Sequence, residues 1–227
     1  MPEDNIKIIT TEDGSHSLYN ATLNETYHSF HGAIQESRHV FVKNGLDYHN
    51  RIKKNIDVFE VGFGTGLNAL LAAEWAQQNE IYITYDTIEA FPVSMEQVSQ
   101  LNYTALINTD NTSEWFNTLH EVPWNELHKV TNFFSFKKLN ESILEHPLPI
   151  DKYDVIFFDA FAPNKQSEMW EMDVLSKIYQ SMKPNGAFVT YCAQGQLKRN
   201  LKSLGLVVET LPGPPGKKEM VRGVKKT

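Results

Sequence analysis

An α/β fold built on a mostly parallel sheet is what this sequence predicts, on three observations. Short apolar runs alternate with segments of helical period along residues 57–224, the pattern of strand–helix–strand units. The run Tyr153-Asp154-Val155-Ile156-Phe157-Phe158-Asp159 is almost continuously apolar, as a strand buried on both faces must be. Asp57-Val58-Phe59-Glu60-Val61 passes directly into a glycine-rich turn and then a helical period, the arrangement by which open sheets hold ligands at their carboxyl edge.

Residues 1–55 precede the first such unit. They read as a small strand-and-turn extension, with Asp13-Gly14 as a turn, packed on a domain over residues 56–227. Arg51, Lys53 and Lys54 read as a solvated turn before the first strand of that domain. Leu67 to Gln78 follows the glycines as a helix, because Leu67, Leu70, Leu71 and Trp75 share one face. Ile81 to Ile88 is a second strand closed by Glu89, and Ser94 caps a helix reaching about Leu101. Residues 102–128 hold one or two short helices, marked by Trp115, Phe116 and Leu119. Val130 to Phe136 reads as a third strand, with a helix near Glu141–Glu145 that Pro147 and Pro149 end. After the Tyr153–Asp159 strand, Ser167 caps a helix to Met182 that Pro184-Asn185-Gly186 stops. Ala187 to Cys192 is a fifth strand, Gln196 to Leu204 a helix ended by Gly205, and Leu206–Leu211 and Met220–Val224 are two final short strands.

The chain has 227 residues, 41% hydrophobic and 22% charged, which excludes a disordered, collagen-like or coiled-coil protein. No apolar stretch reaches the roughly 18–20 residues of a membrane helix. The acidic start Met1-Pro2-Glu3-Asp4-Asn5 is unlike a secretory signal, and the single cysteine, Cys192, forms no internal disulfide. A cytoplasmic location is expected. The net charge of −7 is uneven: residues 195–227 hold eight Lys or Arg against two acids, an excess of +6 over a body of −13. Such a basic end is a candidate footprint for a polyanion, or a solvated helix and tail. His28 and His31 share helical spacing but lack a third ligand, so no metal site is expected.

Glu60-Val61-Gly62-Phe63-Gly64-Thr65-Gly66 carries the chemistry. Its G-x-G-x-G spacing departs from the G-x-G-x-x-G of dinucleotide sites, which disfavours an oxidoreductase. An acid beside the loop repels a pyrophosphate but suits a ligand with an ammonium or sulfonium centre, and S-adenosylmethionine is such a ligand. Glu89, at the tip of the second strand, is placed to accept hydrogen bonds from ribose hydroxyls.

With the loop continuing as Leu67-Asn68, the sequence resembles the methyltransferase domain of the tRNA 5-methylaminomethyl-2-thiouridine biosynthesis family, of MnmC type in a stand-alone, MnmD-like form. The resemblance runs through Glu36-Ser37-Arg38-His39-Val40-Phe41, Asn44-Gly45-Leu46, Asp159-Ala160-Phe161-Ala162-Pro163-Asn164-Lys165, Glu168-Met169-Trp170 and Pro212-Gly213-Pro214-Pro215-Gly216-Lys217-Lys218-Glu219-Met220. It implies a class I S-adenosylmethionine-dependent methyltransferase fold, Rossmann-like, with a mostly parallel seven-stranded sheet whose last strand is antiparallel. The implied reaction methylates the exocyclic amine of 5-aminomethyl-2-thiouridine at the tRNA wobble position, giving 5-methylaminomethyl-2-thiouridine and S-adenosylhomocysteine, with no metal and no flavin. A stand-alone methyltransferase without the oxidase half is expected, so the expected partners are tRNA and the enzymes that install the aminomethyl group, and no membrane.

Cofactor contacts are expected from Glu60, Gly62, Phe63, Gly64, Thr65, Gly66, Asn68, Glu89 and Asp159, with Ser135 or backbone groups standing in for an acid that relatives often carry after the third strand. Asp159, at the end of the Tyr153–Asp159 strand, is the expected catalytic residue, orienting the amine and accepting its proton. Phe161 and Pro163 are candidate walls for the base, with Phe161 equally readable as core. Lys165, Lys217 and Lys218 are candidates for phosphate or base contacts. Two rival readings are a same-fold methyltransferase acting on a small-molecule amine and a non-catalytic binding module.

Overall fold

The structure, a computed structural model, describes residues 5–50 and 55–226. The turn read at Arg51, Lys53 and Lys54 and the acidic residues Met1 to Asp4 lie outside the described residues.

The chain begins with a three-stranded antiparallel sheet: β1 (Ile6–Thr10), β2 (His16–Asn20) and β3 (Glu25–Thr26), turning at Asp13-Gly14. The rest of the extension is helical and not the strand-and-turn segment expected. It comprises α1 (Ala33–Ser37), a segment of wider π pitch over Arg38–Leu46, and α2 (Asp47–Asn50). Val40, Phe41, Val42 and Leu46 of this stretch are buried in the main core. Gly45 explains the close approach. A Cβ there would stand 3.0 Å from the Phe157 ring and 3.3 Å from Val155 and Val189 side chains, so only glycine lets this backbone lie flush on the sheet.

The main sheet collects β4 (Asn55–Val61), β5 (Tyr82–Ile88), β6 (His128–Thr131), β7 (Phe134–Leu139), β8 (Tyr153–Phe158), β9 (Met182–Thr190), β10 (Leu206–Pro212) and β11 (Glu219–Lys225). Its order is β10-β11-β9-β8-β4-β5-β7-β6. The five inner strands are parallel, and the last strand, β11, runs antiparallel to both its neighbours. Every residue of β8 is buried, as its apolar run required.

There are eight strands because the segment read as one strand over Val130–Phe136 is two. The chain reverses at Asn132-Phe133, where the Thr131 hydroxyl accepts the Phe133 amide at 3.0 Å, and β6 returns antiparallel along β7. A turn held by a threonine has no glycine or proline to announce it. Consequently the third parallel strand ends at Leu139, three residues beyond Phe136.

Helices cover both faces. α3 (Leu67–Asn79) lies on one, beside α6 (Thr112–Glu121) and the π segment, with the short α4 (Met95–Val98) and α5 (Tyr103–Leu106) nearby. Residues Leu67 to Ala76 of α3 are all buried, so it has no polar face. Ser94 caps α4 in a reciprocal capping box with Gln97. On the other face lie α7 (Met172–Ser181) and α8 (Gly195–Ser203). Ser167 does not cap α7; Ser167–Trp170 is a separate 3₁₀ turn and Glu171 occupies the cap. Glu141–Glu145 forms turns closed by Ser142 and not a helix. Among the described residues no helix is long and apolar enough to cross a membrane.

Candidate active site

The chain moves outward from β4 to β5 and β7 on one side, then returns through β8 to β9 on the other. The crevice at the carboxyl ends of β4 and β8 is therefore the switch point where open α/β sheets bind ligands. A cleft of about 650 Å³ opens there, a size suited to a cofactor and the reacting end of a substrate.

Three strands are pinned together at its floor. The Gly62 amide donates to Ile88 at the end of β5 (3.0 Å), and the Asp159 amide donates to Val61 (3.0 Å). The loop then climbs over the start of α3, whose first turn presents Asn68. Asn68 Nδ2 donates to Asp159 Oδ2 at 2.8 Å, while Asn68 Oδ1 is buried with no partner in the structure. Glu89 accepts the Gly64 amide at 3.1 Å and the Phe91 amide at 2.8 Å. Burial raises its pKa against the pull of these bonds.

Asp159 is pushed up to about 7. Burial is the main cause, helped by the charge of Glu36 and opposed by the Asn68 bond and Lys217. A carboxyl group of that pKa exchanges protons near neutrality. Across the cleft, Tyr27 meets Phe161 edge to face with ring centroids 5.1 Å apart. Trp170 Nε1 donates to the Phe161 carbonyl at 2.8 Å and fixes that side of the wall.

The cleft brings together most of the residues expected from sequence: Gly62, Phe63, Gly64, Thr65, Asn68, Glu89, Asp159, Phe161, Lys165 and Lys217 line it. Gly66, Pro163 and Lys218 do not. Gly66 supplies the left-handed cap of α3 behind the loop, and Tyr27 takes the place expected for Pro163 as partner of Phe161. Lys165 donates to the Asn24 carbonyl at 3.0 Å, tying its loop to the extension. Ser135 is misplaced. It lies near the amino end of β7, bonded to the Tyr82 hydroxyl, because that strand runs on to Leu139. Glu141, two residues after that strand ends, lines the cleft beside Ser142, Ile143 and Leu144.

Glu60 is also corrected. It is fully buried below the loop among Thr87, Asn68 and Tyr85, away from the cleft. Burial, with the charge of Asp159 adding to it, pushes its pKa up to about 8, so the group is largely protonated at neutral pH. Folded Glu60 thus keeps its proton to about pH 8, whereas the unfolded chain releases it near 4.5. Its contribution to stability is full below the unfolded value and is lost as pH rises through the folded one. Glu60→Gln has no proton to lose. Its melting temperature is expected to gain on the parent's as the pH is raised through that window; parallel curves would refute a neutral Glu60.

Several lining groups carried no sequence signal for this role: Leu23, the stretch from Glu25 to Phe30, Glu36, Tyr191 and Met169. Glu36 lies in a quoted motif, but nothing in that motif points to Lys217. The basic C-terminal end is also less available than its count implied. Lys198 pairs with Glu219 (2.8 Å), Arg222 with Glu209 (2.7 Å), Lys225 with Asp151 (2.8 Å) and Lys217 with Glu36. Lys218 remains exposed at the Pro–Gly loop. Among the described residues no group of three or more His, Cys, Asp or Glu is arranged to hold a metal ion. His28 is buried against Ser17 and Thr65, and burial lowers its pKa to about 4.

A family model described as S-adenosyl-L-methionine-dependent methyltransferase matches residues 109–226. The chain belongs to this methyltransferase family. Relatives similar to this methyltransferase are tRNA 5-methylaminomethyl-2-thiouridine biosynthesis bifunctional proteins MnmC. That of Leptospira borgpetersenii is 29% identical over 88% of this chain and 32% of the relative; that of Burkholderia multivorans is 26% identical over 93% and 34%. The methyltransferase thus spans about a third of the length of the curated relatives it matches. The crystal structure of MnmC2 from Aquifex aeolicus superposes with a TM-score of 0.78 at 28% identity, covering 98% of this chain and 70% of that one.

The residues present fit S-adenosylmethionine. Gly62 leaves no room for a Cβ between loop and floor, Glu89 offers carboxylate acceptors beside the loop, and Asn68 Oδ1, buried without a partner, is a neutral one. The acids suit a cationic amino-acid ligand better than a pyrophosphate.

Proposed function

We propose that this methyltransferase transfers a methyl group to the 5-aminomethyl nitrogen of (2-thio)uridine at the tRNA wobble position, giving 5-methylaminomethyl-2-thiouridine. The observation that carries the reading is the Asp159 carboxylate, fixed by Asn68 beside the glycine loop and facing the Tyr27–Phe161 wall. Relatives that match 88% and 93% of the chain are named for tRNA 5-methylaminomethyl-2-thiouridine biosynthesis, which supports the reading.

When bound, S-adenosylmethionine supplies a methyl carbon activated by a cationic sulfur. The chain does the rest by placement. Holding amine and methyl carbon in line supplies about 7–11 kcal/mol of the barrier. Asn68 holds Asp159 Oδ2, which leaves Oδ1 to meet the amine, align its lone pair and take up the released proton. An amine like that of lysine would need about 4–5 kcal/mol to lose its proton at pH 7; an apolar wall around the amine disfavours its charged form and lowers that requirement. Tyr27 and Phe161 form the wall for the base lifted out of its stack. Lys218 is a candidate phosphate contact, the tRNA and its cytoplasmic location belong to this proposal, and so do the enzymes that install the aminomethyl group.

The test is mass analysis of wobble nucleosides after incubating the protein with S-adenosylmethionine and tRNA bearing 5-aminomethyl-2-thiouridine. Conversion of that nucleoside to its methylated form is expected; an unchanged aminomethyl peak would defeat the reading. Glu89→Gln removes the charge from hydrogen bonds expected to hold ribose hydroxyls. The affinity for S-adenosylhomocysteine, measured by calorimetry, is expected to fall about ten- to hundredfold.

A further inference from the structure

A second carboxylate stands close to Asp159, and it is matched. Glu36, in α1, is buried and lines the same cleft. One of its oxygens accepts the Ser29 amide at 2.9 Å and the other is paired with Lys217 from the loop between β10 and β11. The Lys217 ammonium sits 3.8 Å from the centre of the Tyr191 ring, a cation–π seat. The Tyr191 hydroxyl donates to the Ala160 carbonyl at 2.8 Å, one residue after Asp159. The loop carrying Lys217 is itself held, since His39 Nε2 donates to the Pro212 carbonyl at 2.8 Å. A chain of contacts therefore runs from the N-terminal extension through Lys217 to the backbone beside Asp159.

We propose that Lys217 is a positioning residue: by engaging Glu36 it leaves Asp159, and not Glu36, as the carboxylate that meets the substrate amine, and it steadies Asp159 through Tyr191 and Ala160. This rests on the functional reading above. Unpaired, Glu36 would be a rival anion able to draw the ammonium away from the methyl donor. Unpaired, Lys217 would repel the same ammonium. Together they are a neutral pair, which is why the lysine serves the site better paired than as a free phosphate contact. The charged and titratable groups around Asp159 are Glu36 and Lys217, Glu60 on β4, Tyr85 on β5 and Tyr191 after β9, with Asn68 of α3 as its hydrogen-bond donor.

The test is the pH dependence of kcat on aminomethyl-bearing tRNA. Its acidic limb reports a group that must be deprotonated. Lys217→Met removes a cation that favours ionised Asp159, so the limb is expected to move up by about one pH unit, with roughly a fivefold loss of kcat at pH 7. Glu36→Gln removes an anion, so the limb is expected to move down. Combining the two should return it close to the parent's position, and Lys217→Arg should not move it. A merely structural role predicts loss of activity with an unmoved limb, or shifts of one sign in both single variants; either result overturns the proposal. Binding of S-adenosylhomocysteine checks that each variant is folded. Should Lys217→Met misfold, Glu36→Gln and Lys217→Arg decide: a lowered limb in the first and an unmoved one in the second support the proposal, and any other pair overturns it. Titration of the Asp159 carboxyl followed by NMR in the same variants needs no substrate, so it separates failure of this pair from failure of the tRNA reading.

Discussion

Asp159→Asn is expected to lower kcat for methyl transfer by about 10²–10⁴-fold, the usual range for loss of a positioned proton acceptor. The substitution is a fair test because it keeps the geometry. An asparagine oxygen can still accept the Asn68 Nδ2 hydrogen that Asp159 Oδ2 accepts at 2.8 Å, so the side chain stays aimed while its basicity is lost. Affinity for the cofactor product should be nearly unchanged. The pH profile should change in kind: the parent loses activity as pH falls through about 7, where Asp159 takes a proton, and the variant lacks that limb. Ionisation of the amine itself adds a more alkaline limb to both. Asp159→Ala serves as contrast, since it strands the Asn68 amide at a cost of about 1–3 kcal/mol in stability. Single-turnover rates across pH decide. An asparagine variant with the parent's rate and limb would remove Asp159 from the chemistry.

How much of this was legible in the sequence depended on how a side chain reveals its surroundings. β4 and β8 were plain, because a strand buried on both faces needs apolar residues throughout. Glu89 was plain because it stands where an apolar run stops. The π segment Arg38–Leu46 was not, because Val40-Phe41-Val42 looks like strand sequence and its exposed residues, Arg38 and Lys43, recur five apart and not at the 3.6-residue period. The hairpin between β6 and β7 was hidden by its threonine-held turn, and that boundary error carried Ser135 to the site in place of Glu141. Glu60 was assigned to the cofactor from its distance to the glycines, but strand alternation sends it under the loop. The Glu36–Lys217 pair joins residues 181 positions apart, and no local pattern encodes such a contact.

Gly62→Ala is expected to combine a fold defect with loss of cofactor binding. Gly62 has φ +92°, a conformation L side chains rarely adopt, and a Cβ there would stand 2.7 Å from the Asp159 carbonyl oxygen. The obstacle is backbone, held by Asp159 N–H to Val61 and Gly62 N–H to Ile88, so relief requires moving the end of β4 or β8. Backbone strain of about 1–3 kcal/mol joins an overpacking term of about 1–3 kcal/mol. At about 2–4 °C per kcal/mol for a chain of this size, the melting temperature should fall by roughly 4–24 °C. Because the displaced atoms belong to Asp159 and the loop, binding of S-adenosylhomocysteine should weaken in the protein that still folds. Gly14→Ala isolates the conformational part: Gly14 has φ +81° but nothing within 4 Å of a Cβ, so its loss should be confined to the strain term. If the two variants melt alike, the close approach between the glycine loop and Asp159 contributes nothing, and Gly62 is needed only for its turn.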